Sequence, residues 1–251
     1  MLSRDLALAL DPVRLMEAVH LSPDNWQIDL LRGEPRRALL LCSRQAGKST
    51  VTAVMALHEA LYGSGALVLL LSPSQRQSGE LFRKVVGFYR QLGETIPIEA
   101  ESALRLELAN GSRIASLPGQ EQTVRGFSGV RLLIIDEAAR VPDELYYSVR
   151  PMLAVSGGRL VALSTPFGKR GFFFHEWTEG AQEWARIKVT ARECPRIAPA
   201  FLDEERRSLG EWWYRQEYEC EFVETVDQVF RYEHVMGALC PDVLPLFGSE
   251  T

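Results

Sequence analysis

Four short, mainly apolar runs punctuate the chain, at 38–42, 66–71, 132–136 and 159–164, and a short alternating stretch, Arg-Ile-Lys-Val, stands at 186–189. Each is too short for a buried helix and is bounded by turn-forming or charged residues, so each predicts a strand. Between them, apolar positions recur at helical spacing over 24–31, 48–62, 75–91 and 143–150. Strand–helix alternation over this span predicts a mostly parallel sheet with helices on both faces. Residues 104–117 break the alternation. There Leu104, Leu106 and Leu108 alternate with Arg105 and Glu107, Asn110-Gly111 follows, and alternation resumes. Asn-Gly between two alternating runs predicts a hairpin, here extending one edge of the sheet. From Pro199 the pattern turns to charged helices rich in Glu, Arg, Trp and Tyr. The expected division is therefore a core over 1–198, a helical lid over 199–224 and a linker or tail over 225–251.

Composition narrows the class. The 251 residues are 46% hydrophobic and 24% charged, which suits one globular domain with a full core, alone or with a small lid. A net charge of −5 gives no global basic surface, so any nucleic-acid contact must be local. The cysteines Cys42, Cys194, Cys220 and Cys240 have neither CxxC spacing nor His neighbours at metal-ligand spacing, and read as reduced thiols of a cytosolic protein. The apolar stretch 1–10 carries Arg4 and Asp5 and is too short to span a membrane. No membrane partner is expected.

Two segments carry chemistry. The first is the apolar strand ending in Cys42, followed by Ser43-Arg44-Gln45-Ala46-Gly47-Lys48-Ser49-Thr50 and a helix. Strand, turn ending in Gly-Lys-Ser, then helix is the order of a phosphate-binding P-loop: backbone amides and a helix N-terminus meet phosphate oxygens. Lys48 is expected on the β- and γ-phosphates and the Ser49 hydroxyl on Mg²⁺. Cys42 stands where the usual pattern has its first Gly. The second segment is Leu132-Leu133-Ile134-Ile135-Asp136-Glu137. Its carboxylates sit at the C-terminal end of an apolar strand, where open α/β sheets place ligands. Asp136 is expected to hold Mg²⁺ and Glu137 to act as general base on the attacking water. Taken alone, Asp-Glu also reads as the cap of the next helix. Together the two segments point to ATP and Mg²⁺.

These motifs, in order, resemble the ATPase domain of the large terminase, the DNA-packaging motor of tailed bacteriophages. Ser43–Thr50 is similar to that family's Walker A segment, which often lacks the first Gly. Pro23-Asp24-Asn25-Trp26-Gln27 resembles its adenine-contacting segment, Thr123-Val124-Arg125-Gly126 its Arg-Gly element, Leu163-Ser164-Thr165-Pro166 its coupling motif, and Arg215-Gln216-Glu217-Tyr218 through Phe222 the end of its lid. The resemblance implies a P-loop NTPase of the type with a catalytic Glu beside the Walker B Asp. It implies ATP hydrolysis driving double-stranded DNA into a procapsid, in a ring of subunits, with a capsid portal and a small terminase subunit as partners, in the cytoplasm of an infected bacterial host. The family's nuclease domain is not expected, because the chain continues only about thirty residues past the lid signature.

The same resemblance assigns roles. Gln27 would recognise adenine, with Trp26 structural. Arg44, from its place in the loop, would contact phosphate or act in cis as a finger, the plain alternative being a surface salt bridge. Arg125 would be an arginine finger offered to a neighbouring subunit, or else an Arg that caps loop carbonyls. Thr165 would sense the γ-phosphate and pass its state to the lid, while Gln45 shapes the loop. Arg76, Arg83 and Lys84, or Lys169 and Arg170, are candidate DNA-phosphate contacts, though solvated helix faces look the same. The runners-up are a helicase-like DNA-remodelling ATPase and a non-hydrolysing ATP-binding module that organises a ring.

Overall fold

The computed structural model describes residues 2–118, 126–224 and 232–238. Two N-terminal helices, α1 (Leu2–Leu10) and α2 (Pro12–Ala18), come first. Asp11 separates them: its carboxylate accepts the Val13 amide at 3.1 Å, and Pro12 opens the second helix, where a missing N–H costs nothing. Then follow α3 (Asn25–Gly33), β1 (Arg37–Cys42), α4 (Lys48–Tyr62), β2 (Leu67–Ser72) and α5 (Gln75–Gln91). Three consecutive strands, β3 (Ile98–Ser102), β4 (Arg105–Leu108) and β5 (Arg113–Pro118), lead to β6 (Val130–Asp136). The remainder is α6 (Asp143–Val149), β7 (Arg159–Ser164), α7 (Gly171–Thr178), β8 (Ala185–Val189), α8 (Pro199–Leu209), α9 (Glu211–Glu217) and α10 (Tyr232–Ala238).

The strands form one eight-stranded sheet in the order β3-β4-β5-β2-β6-β7-β1-β8. From β5 to β8 every pairing is parallel, and β3-β4-β5 is antiparallel. The apolar runs are continuous because both faces are covered. Leu40, Val68, Leu70, Leu132 and Ile134 face the layer of α1–α5, while Leu39, Leu41, Leu69, Leu133 and Ile135 face α6 and α7. Burying each such side chain contributes roughly 1.5–3 kcal/mol, so two faces of interleaved leucines hold the C-terminal strand ends in fixed register.

The Asn110-Gly111 hairpin joins β4 to β5, pairing Leu106 with Ile114. Gly111 takes the positive φ of +80° that the turn demands. The edge has one strand more than expected. β3, Ile-Glu-Ala-Glu-Ser, is short and mostly exposed with one large apolar side chain, and Arg90 pairs with Glu101 at 2.8 Å, charge that blunts an open edge. The helix over Gly171–Thr178 is likewise absent from the sequence pattern, because its Phe172-Phe173-Phe174 run has no helical period. Phe172 stacks on Tyr146 of α6 at 3.9 Å and fills the core, while Phe173 and Phe174 meet Phe222. Helices α8 and α9 close a small cluster of Leu202, Tyr214 and Tyr218 against Ala191. No helix among the described residues is long and apolar enough to cross a membrane.

Candidate functional site

The site starts where β1 ends. Cys42 is still strand and fully buried, so the loop needs no glycine there. The chain then turns through two left-handed residues, Gln45 at φ 61° and Gly47 at φ 88°. The positive φ of Gly47 favours glycine, and a Cβ there would lie 2.8 Å from Gln27 Nε2 and displace that side-chain amide. Helix α4 opens at Lys48; the Thr50 and Val51 amides donate to the Gly47 carbonyl at 3.1 Å, and those of Lys48 and Ser49 have no intrahelical partner. Ser43 and Ala46 are buried under the loop, with side chains that do not line the cleft. Gln45, Gly47, Lys48, Ser49 and Thr50 line it.

Parallel pairing brings the second segment alongside. Strand β6 lies beside β7, pairing Asp136 with Leu163, so Asp136, Glu137 and Thr165 reach the same edge as the β1 loop. The result is an open cleft of about 1290 Å³ bordered by Lys48, Ser49, Glu137 and Thr165. Ser49 Oγ lies 3.5 Å from Asp136 Oδ2. This all-oxygen pair suits Mg²⁺, which takes one or two carboxylates and fills its octahedron with water and phosphate. A cluster of three or more His, Cys, Asp or Glu is not needed, and the described residues contain none. Burial, then the charge of Glu137, pushes the Asp136 carboxyl up to about 6. A cation bound between Ser49 and Asp136 would offset that cost. Glu137 sits in left-handed backbone, φ 51° and ψ 42°, which turns its carboxylate into the cleft, 3.9 Å from Lys48 Nζ. Its amide is held by Asp136 Oδ1 at 2.9 Å.

Other expected residues are placed less simply. Gln27 reaches the loop, but its amide is engaged: Oε1 accepts the Asp24 amide at 2.9 Å and Nε2 donates to the Gly47 carbonyl at 3.3 Å. In this arrangement it braces the P-loop. Trp26 packs against the core. Arg44 lines the cleft, yet its Nε donates to Glu217 Oε2 at 2.6 Å, and its amide donates to the Glu217 carbonyl at 3.2 Å. The loop is thereby tied to α9. Arg125 lies outside the described residues. Arg76 lies at the cleft mouth beside Glu80, 3.8 Å away.

Lys84 corrects an expectation. It was a candidate DNA contact, but Leu81, Phe82, Val85 and Val86 turn α5 onto the sheet. Position 84 then faces α4, and Nζ donates to Thr50 Oγ1 at 3.2 Å. Burial pulls its ammonium below the usual lysine range. Two further residues came from no motif. Arg196 donates to both Asp24 oxygens at 2.8 and 2.7 Å and to the Ala46 carbonyl at 3.3 Å, bracing the loop from outside. Arg140 lines the cleft beside Glu137. Arg196 is remote in sequence from the residues it holds, so only tertiary packing brings it there.

Residues 39–235 match the family model described as terminase large subunit, T4likevirus-type, N-terminal. The terminase large subunits of Thermus phage G20c and Escherichia phage T5 are each 27% identical to the chain, over 86% and 84% of it. The chain spans about half the length of these curated relatives, 52% and 50%. Among solved structures, the large terminase ATPase domain of Thermus phage P74-26 aligns with a TM-score of 0.76 at 22% identity, over 85% of this chain and 100% of that one. The large terminase of a thermophilic bacteriophage in complex with ATP-gamma-S aligns with a TM-score of 0.62 at 15% identity, over 79% of this chain and 52% of that one. These structural likenesses establish the fold.

Proposed function

The chain belongs to the terminase large-subunit family, and from that premise we propose that it is a Mg²⁺-dependent ATPase that drives double-stranded viral DNA into a procapsid. One observation supports this most: Lys48, Ser49, Asp136, Glu137 and Thr165, distant in sequence, meet at the C-terminal ends of three neighbouring parallel strands. That is where an open α/β sheet holds its ligand.

Lys48 and the first-turn amides of α4 bind the β- and γ-phosphate oxygens. Ser49 and Asp136 would hold Mg²⁺, which would neutralise charge that develops on the phosphates. Glu137 orients the attacking water and accepts its proton. Water oxygen bonds to the γ-phosphorus as the bond to the β–γ bridging oxygen breaks, giving ADP and phosphate. Thr165 is buried at the cleft edge, a position that supports its role as sensor of the γ-phosphate. Arg44 joins the loop to Glu217, and residues 199–224 act as the lid that responds. Arg125 is assigned as the finger offered to the next subunit of a ring. The capsid portal, the small terminase subunit and the bacterial cytoplasm complete the setting.

The test is ATP turnover at rising protein concentration, with and without double-stranded DNA. Specific activity is expected to rise with both, and Lys48→Ala is expected to abolish it while the protein stays folded. ATP binding with no turnover at any concentration would favour the non-hydrolysing assembly module.

A further inference from the structure

Glu137 has an anchoring problem. Its backbone is left-handed, a conformation that residues with a Cβ rarely hold unless the surroundings fix it. Its flexible side chain must nevertheless present one oxygen to a water in a defined direction. The structure divides the carboxylate between two cations: Oε1 lies 3.9 Å from Lys48 Nζ and Oε2 lies 3.8 Å from Arg140 Nε. Lys48 is assigned to phosphate. Arg140 has no such duty, and it is itself fixed. Its amide donates to the Glu137 carbonyl at 2.9 Å, closing the 3-10 turn Ala138–Arg140. Its guanidinium carbon lies 4.0 Å from the centroid of the Phe167 ring. A planar guanidinium stacks on an aromatic face and still directs N–H groups sideways at a carboxylate. Phe167 follows Thr165-Pro166 directly, so the support comes from the segment that leaves β7.

We propose that Arg140 is a positioning residue for Glu137: laid on Phe167, it anchors one carboxylate oxygen so that the other faces the attacking water. This rests on the reading of Glu137 as general base. It links that base physically to the segment holding Thr165, so a shift after β7 misaligns the base without touching the phosphates. Arg140 acts through Glu137 and makes no claim on the nucleotide.

The experiment compares wild type, Arg140→Ala, Arg140→Lys, Phe167→Leu and Glu137→Gln as full chains with double-stranded DNA. It measures ATP turnover, affinity for a fluorescent ATP analogue and the melting temperature. A misplaced catalytic group costs on the order of 10²-fold in rate. Arg140→Ala should therefore lower kcat by about 10²-fold, with analogue affinity within about twofold of wild type on the expectation that only transition-state alignment is lost. Arg140→Lys, which keeps the charge, should recover part of the loss, and Phe167→Leu should fall between. If Arg140→Ala does not fold, the other two substitutions decide the matter by the same split. Loss of analogue affinity in step with turnover would overturn the proposal and make Arg140 a phosphate contact. Wild-type turnover in folded Arg140→Ala would also overturn it, leaving the base intact as long as Glu137→Gln is inactive. Turnover in Glu137→Gln would remove the reading on which the proposal rests.

Discussion

A buried carboxylate beside a second carboxylate holds its proton longer, and Asp136 shows the consequence for stability. Its carboxyl is pushed from 3.8 in water to about 6, first by burial and then by Glu137. The folded-state value is the raised one. The favourable difference is therefore present below about pH 4 and is lost as pH rises through about 6. A difference of this size corresponds to about 3 kcal/mol as an upper bound. Asp136→Asn removes the charge and keeps an oxygen for the Glu137 amide. Without Mg²⁺, the variant should gain stability over wild type as pH rises from about 4 to about 7, read from urea midpoints. Mg²⁺ should erase that gain by stabilising wild type alone. A difference that stays flat across this range would mean Asp136 does not titrate there. This residue-scale tension was invisible in the sequence, where Asp-Glu also reads as a helix cap. It needs the burial of β6 and the approach of Ser49 to become legible.

Elements decide how firmly the site is held. The P-loop end of α4 faces the cleft, and its far end is held by the hairpin. Asn110 Nδ2 donates to the Ala60 and Leu61 carbonyls at 2.8 and 3.1 Å, and its Oδ1 accepts the Ser112 amide at 3.0 Å. Asn110→Ala leaves those carbonyls unpaired and should cost about 1–3 kcal/mol, measured by urea denaturation. Turnover per folded molecule should be unchanged, because nothing at the cleft moves. An unaltered midpoint would show that water replaces the cap. The Asn-Gly signal was readable because turn geometry is local. So was the P-loop, where strand, turn and helix follow in a dozen residues. The strand at Ile98–Ser102 was not, since its five residues carry one large apolar side chain and leave most of the strand exposed. Nor were Lys84, Arg140 and Arg196, since a cation on a helix or loop announces no direction until its element is packed. Gln27 was read from the resemblance and Arg44 from its place in the loop as ligand contacts, with a salt bridge as the alternative for Arg44; the structure engages both with protein groups, Arg44 in a salt bridge to Glu217.

At the scale of the molecule, the sheet gathers the ends of β1, β6 and β7 into one cleft, and the net charge of −5 restricts any DNA contact to local basic patches. A ring whose subunits complete one another's sites has a direct signature. If Arg125 acts in trans as proposed, Arg125→Ala subunits retain their own pockets and Glu137→Gln subunits retain the finger. Each alone should be nearly inactive, and mixed rings should recover part of the activity. No recovery in rings shown to contain both subunits would favour Arg44 acting in cis. Beneath that lies the claim that this cleft hydrolyses ATP with Glu137 as its base. The most direct measurement is phosphate release by Glu137→Gln beside wild type, with affinity for Mg²⁺ and a fluorescent ATP analogue determined on the same samples. The expected result is binding retained and release lost, since an amide cannot accept the proton of water. Undiminished release from a folded, nucleotide-binding Glu137→Gln would contradict it.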